Sequence, residues 1–118
     1  MKCSAIAAQL GLRSLTPEVA ADPDVTHGYV SDLLSDVLAN APAGGVLVTV
    51  QVHLNVIAVA VHAELAAVIF ALDRAPDEAV RAKAVEEGVA LYVSTLPAFE
   101  IVGRLYSAGV RGTAGQER

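Results

Sequence analysis

The stretch Val46-Leu47-Val48-Thr49-Val50-Gln51-Val52-His53-Leu54-Asn55-Val56 decides the fold, because it can be read with two periods. Apolar residues at the even positions and Thr49, Gln51, His53 and Asn55 at the odd ones give the alternation of a long, half-solvated strand. Against that, Asn55 is a good helix N-cap, and Val56, Val59 and Ala60 repeat at i, i+3, i+4 up to the polar His62. Gly44-Gly45 bounds the run on its upstream side, so Val46 to Val50 reads as a short buried strand. The preferred reading is strand, loop, then helix from about Leu54, although the β-propensity of the valines opposes it.

The same alternation of element types continues outward. Downstream, Ala67 to Leu72 is a second buried-strand run, ended by Asp73-Arg74-Ala75-Pro76. A helix follows with Pro76 expected at its first position, Asp77 and Glu78 in the first turn, an Asp77 to Arg81 pair, and Gly88 as its stop. Val89 to Val93 is the last strand. Ser94, Thr95 and Pro97 then open a helix in which Phe99, Val102 and Tyr106 form one stripe, read as core or dimer surface. Upstream, Ser31 is the expected cap of a helix with Leu33, Leu34, Val37 and Leu38 on one face and Asp32, Ser35 and Asp36 on the other. Short strands are expected at Val25 and Thr26 and at Arg13 to Leu15, after a helix capped by Ser4 and stopped by Gly11.

Strands alternating with helices at these lengths predict an α/β fold of three layers, a mainly parallel sheet of about four to five strands with helices on both faces. Residues 1–110 are expected to form one domain and 111–118 a flexible tail. The 118 residues are 54% hydrophobic with only 4% aromatic and no Trp, so the core must be built from Val, Ala and Leu.

Charge excludes partners. Eight basic against 13 acidic side chains give a net charge of -5, which argues against a phosphate-neutralising surface and so against nucleic acid. No Lys or Arg stands between Arg13 and Arg74. Residues 37–63 carry no formal charge, but Asn40, Pro42, Gly44, Gly45, Thr49, Gln51, His53 and Asn55 interrupt them, so no membrane span is expected. Cys3 is the only cysteine and no secretory leader pattern opens the chain, which predicts a cytoplasmic location.

Several chemistries lack their residues. A P-loop needs G-x-x-x-x-G-K-[ST], whereas Gly44-Gly45 precedes a strand and no lysine follows until Lys83. G-x-G-x-x-G and G-x-S-x-G are both missing. What remains is Thr49, Gln51, His53 and Asn55 at the carboxyl end of a central strand, where open α/β sheets bind ligands. If the next strand is its parallel neighbour, Asp73 and Arg74 emerge into the same crevice. The alternative is that Asn55 caps a helix, Thr49 satisfies backbone, and Gln51 and His53 face water, with Asp73-Arg74 a solvated turn. Ser31, Asp32, Ser35 and Asp36, with His27 upstream, form a polar face that either meets a partner or a hard cation or simply caps its helix.

Taken together, Gly28-Tyr29-Val30-Ser31-Asp32-Leu33-Leu34-Ser35-Asp36-Val37-Leu38, Val46-Leu47-Val48-Thr49, Ala67-Val68-Ile69-Phe70 with Pro76-Asp77-Glu78, and Ser94-Thr95 with Phe99-Glu100 resemble the DRTGG-domain family over nearly the whole chain. That family is a small α/β module related to the N-terminal domain of HPr kinase/phosphorylase and inserted in some phosphotransacetylases and CBS-type pyrophosphatases. The chain departs from the family at its namesake loops, with Gln51-Val52-His53 in place of Gly-Asp-Arg and Asp73-Arg74-Ala75 in place of Thr-Gly-Gly. The resemblance implies a non-catalytic regulatory or ligand-sensing module that self-associates or acts through a protein partner, in a redox-, hydrogenase- or carbon-metabolic setting. The expected ligand is small and polar, anionic or nucleotide-like. A purely structural homodimeric scaffold is the alternative, and a small enzyme using His53 as base with Asp32 or Asp36 is a third reading.

Overall fold

A computed structural model of the chain describes residues 1–113. Ten elements follow one another: α1 Cys3–Leu10, β1 Arg13–Ser14, β2 Gly28–Val30, α2 Leu34–Asn40, β3 Val46–Thr49, α3 Asn55–His62, β4 Ala67–Phe70, α4 Glu78–Glu87, β5 Ala90–Val93 and α5 Ala98–Ser107. The five strands form one sheet in the order β1-β5-β4-β3-β2. β2 to β5 are parallel neighbours, and β1 pairs antiparallel with the outer edge of β5.

The apolar runs contain no alternation because both faces of the sheet are covered. Val46, Val48, Ala67, Ile69 and Ala90 pack with Ile6, Leu10, Ile101 and Leu105 from α1 and α5. Leu47, Val68, Phe70, Leu91 and Val93 point the other way, against Val37, Val56, Ile57, Val80 and Ala84 from α2, α3 and α4. Each fully buried aliphatic or Phe side chain contributes about 1.5–3 kcal/mol relative to exposure. With little aromatic bulk available, the core is held by many such modest terms.

The layer assignment follows from connectivity. β2, β3, β4 and β5 are laid down in consecutive order, so every crossover steps in one direction and, being right-handed, puts its helix on the same face. After β5 the chain turns to the opposite face, where α5 runs back beneath β2 and β3 beside α1.

Several local expectations are corrected. The strand expected at Val25 and Thr26 lies at Gly28–Val30, in register with Val46 to Val48. Val25 is buried under the α1 layer instead, its N–H donating to the Met1 carbonyl at 2.8 Å. Ser4 lies inside the first turn of α1, where its hydroxyl and N–H both donate to Asp22. Pro76 is not the first residue of α4: Asp77 caps the helix, its carboxylate accepting from the Val80 N–H at 3.1 Å, and Glu78 begins it. Arg81 pairs with Glu78 and Glu18 in place of Asp77. On α5 the core side is Ile101 and Leu105, so Phe99, at 85% exposure, and Tyr106, at 56%, are not core residues.

Gly11 and Gly88 close α1 and α4 in the left-handed conformation, as expected. The expected tail begins docked: the Gly28 N–H donates to the Arg111 carbonyl at 3.0 Å, and the Arg111 guanidinium lies 3.9 Å from the centre of the Tyr106 ring. The rest of that tail, from residue 114, lies outside the described residues. Among those described, no helix is long and apolar enough to cross a membrane. Burial, and then Asp22, push the Cys3 thiol up to about 11, so it stays protonated at neutral pH and is a packing group.

Candidate functional site

The carboxyl edge of the parallel strands gathers the polar loops. β3 ends at Thr49, and the preferred reading of the deciding stretch holds: residues 50–54 form a loop and α3 starts at Asn55. Thr49 is buried, and its hydroxyl donates to Asp32 Oδ1 at 2.8 Å. The same carboxylate oxygen accepts from the Val50 N–H at 2.8 Å, so Asp32 clasps the loop after β2 to the end of β3. Asp36 is spent separately, accepting from the Tyr29 hydroxyl at 2.7 Å and the Asn40 amide at 2.8 Å. The Tyr29 bond, followed by those from Ser31 and Asn40, holds the Asp36 carboxyl below its ordinary value. Ser31 Oγ accepts from the Leu33 N–H at 3.2 Å, a local turn in place of the expected cap, and Ser35 lies exposed on α2.

From Thr49 onward the loop is built as a relay with a step of two residues. Thr49 Oγ1 accepts from the Gln51 N–H at 3.0 Å, Gln51 Oε1 from the His53 N–H at 3.2 Å, and His53 Nδ1 from the Asn55 N–H at 3.0 Å. Each polar side chain thus holds the backbone two residues ahead, which satisfies N–H groups that neither strand nor helix uses. His53 performs the capping expected of Asn55. With Nδ1 accepting, the proton of the neutral ring sits on Nε2. The relay uses the Gln51 and His53 acceptors and leaves the amide NH2 of half-buried Gln51 and the Nε2–H of exposed His53 without a hydrogen-bond partner among the described residues, beside the exposed Asn55 carboxamide.

The loop after β4 is organised differently. Leu72 and Asp73 both adopt left-handed backbone, with φ 58 and 54. Their N–H groups donate to Leu96 at 2.9 Å and to Ser94 at 2.7 Å, which ties this loop to the one after β5. Asp73 also meets Arg13 at 3.8 Å. Arg13 and Arg74, which bracket the long stretch without a cation, therefore come to one corner of the molecule beside Asp73.

The structure thus joins Thr49, Gln51, His53 and Asn55 to Asp32 in one loop and directs Asp73 toward β5 and Arg13. The chain leaving β5 goes to the face opposite to those leaving β3 and β4, yet the loops after β4 and β5 stay joined through the Leu72 and Asp73 N–H groups, and this holds Asp73 toward β5. Sequence reasoning missed Asp32 as the clasp on Thr49, along with Arg13, Ser94 and Leu96. The Asp32 to Thr49 contact spans 17 positions and has no local signal.

No protein-family model and no curated protein matches the sequence. Among solved structures, the fold is similar to the CBS and DRTGG domains of the regulatory region of Clostridium perfringens pyrophosphatase, in complex with its activator diadenosine tetraphosphate. The TM-score is 0.68 over 87% of this chain and 45% of that one, at 8% identity. The chain therefore spans less than half of that structure, and the likeness is one of fold. It agrees loosely with a DRTGG-like α/β module, and the similar region is a regulatory one.

Proposed function

We propose that this chain is a non-catalytic ligand-sensing module of DRTGG type that binds a small anionic or nucleotide-like molecule at the carboxyl edge of its sheet. The site comprises Gln51, His53 and Asn55, held in place by the buried Thr49, with Asp73 and Arg74 on the neighbouring loop after β4. One observation carries the reading: the relay from Thr49 to Asn55 spends the Thr49, Gln51 and His53 acceptors on the loop's own backbone and leaves the Gln51 and His53 donors uncommitted. Donors fixed in advance on a rigid strand end suit phosphate or carboxylate oxygens, because their ordering cost is met during folding. The regulatory fold neighbour with its nucleotide activator supports the choice of ligand class. Signal output is by self-association or through a protein partner.

The commitments of Asp32 and His53 weigh against the acid–base reading. Asp32 Oδ1 is occupied by Thr49 and Val50, and His53 Nδ1 by Asn55. The test is calorimetric titration with diadenosine tetraphosphate, ATP, ADP and inorganic phosphate. Gln51→Glu keeps the oxygen that caps His53 but replaces the uncommitted donor by a charged acceptor. It is expected to weaken binding by at least about tenfold while changing unfolding free energy by less than about 0.5 kcal/mol. Binding that Gln51→Glu and His53→Ala both leave unchanged, or no binding of any of these anions, overturns the assignment.

A further inference from the structure

The most exposed large apolar side chain is on α5: Phe99 stands 85% exposed at the start of that helix, and Tyr106 follows on the same side at 56%. Beside Phe99 runs a groove of about 450 Å³ between α5 and the end of α1, bordered by Gln9, Leu10, Glu100, Gly103 and Arg104. Its floor is open at Gly103, where an added Cβ would meet nothing within 4 Å. The groove is therefore a notch of aromatic width next to an unused aromatic ring.

The charges at the groove are also unused. Glu100 and Arg104 are one turn apart on α5, the spacing at which helical ion pairs form, and both border the notch. Neither makes an ion pair with the other or with any other described residue, whereas Arg81, Lys83 and Arg13 each do. An apolar knob, a hole beside it and one charge of each sign on the same short helix form a self-complementary set.

We infer that α5 is the two-fold interface of a homodimer, with Phe99 of each copy seated over Gly103 in the groove of the other. An antiparallel crossing that brings Phe99 to Gly103 places the dyad at Ile101, and one that brings Glu100 to Arg104 of the second copy places it at Val102. The two requirements differ by one residue and are met by a single crossing of long, flexible charged side chains. The area is adequate. Rings of this kind bury roughly 150–250 Å² each, so the exposed parts of four supply on the order of 600 Å². The exposed side chains of Gln9, Glu100, Arg104 and Ser107 on both copies bring the total to about 1,000 Å², the size of a specific interface. This deepens the self-association in the proposed function and is separable from its ligand site, which lies on loops that the crossing leaves open.

The experiment is sedimentation velocity of the full chain at tens of micromolar, together with Phe99→Asp, Glu100→Arg, Arg104→Glu and the double charge swap. The wild type is expected at twice the 12.1 kDa chain mass. Phe99→Asp is expected to be monomeric with unchanged circular dichroism. Each single charge reversal sets like charges across the dyad and weakens the dimer by roughly tenfold, and the double swap restores it. A monomeric wild type overturns the interface, as does a dimer indifferent to Phe99→Asp or a double swap no better than the singles. Anion binding by the Phe99→Asp monomer, lost on Gln51→Glu, keeps the two proposals distinguishable.

Discussion

Asp32 is exposed in sequence terms and structural in effect. Its one oxygen receives a buried hydroxyl and a backbone N–H, and hydrogen bonds to a charged group are worth about 1.5–3 kcal/mol each because the alternative is an unpaired buried donor. Asp32→Ala is expected to lower the urea unfolding free energy by about 2 kcal/mol, and Asp32→Asn by less, since it keeps an acceptor. Thr49→Val added to Asp32→Ala is expected to cost less than it does alone, because the bond between them is already gone and only the Gln51 N–H loses its acceptor. A loss under about 0.5 kcal/mol for Asp32→Ala would show that water replaces the carboxylate freely. The same bond explains why Thr49 can end a buried strand without leaving its hydroxyl unpaired.

At the level of elements, the turn from β4 toward α4 carries a local cost. Left-handed backbone at a non-glycine residue costs roughly 1–2 kcal/mol, more readily borne by Asp than by Leu. Leu72 is half exposed, so its side chain repays little of that by packing. Leu72→Gly is accordingly expected to raise unfolding free energy by about 0.5 kcal/mol after the added entropy of the unfolded chain is counted, read from chemical melts at unchanged slope. A loss of stability would show that Leu72 is held by contacts the backbone angle does not reveal. The strands of the sheet centre were legible because Val46 to Thr49, Ala67 to Phe70 and Ala90 to Val93 are short runs of β-branched, aliphatic and aromatic residues with glycine or polar bounds. β2 was not, since Gly28-Tyr29-Val30 has no pattern of its own and is a strand only because β3 pairs with it. Caps failed similarly: Ser4, Ser31 and Asn55 are good capping residues in isolation, but a distant Asp22 and the neighbouring His53 ring changed what their groups were needed for. The loop residues of the site were visible as an alternation of polar types, while its clasp depends on pairings made by the sheet.

For the whole molecule, acid stability is expected to depend on hydrogen-bonded carboxyls at the joints between layers, each adding little because it is exposed to solvent. The Tyr29 hydroxyl holds Asp36 low, joining β2 to α2, and the Ser4 hydroxyl and N–H hold Asp22 low, joining α1 to the loop before β2. Glu18, held low chiefly by backbone N–H bonding and then by Arg81, joins that loop to α4, where Arg81 also lowers Glu78. A carboxyl whose folded value is depressed contributes stability above its unfolded value and loses it as pH falls through the folded one. Melting temperature is therefore expected to fall below about pH 4, with a shallower slope in the Asp22→Asn, Asp36→Asn double variant. An unchanged slope in that variant would place the acid sensitivity elsewhere. The one-way laying down of β2 to β5 also bears on time. α1 shares its layer with α5, and β1 pairs with β5. During vectorial synthesis the cover over that face of the sheet therefore stays incomplete until α5 has been made, and a product truncated before it exposes a hydrophobic surface suited to chaperone capture.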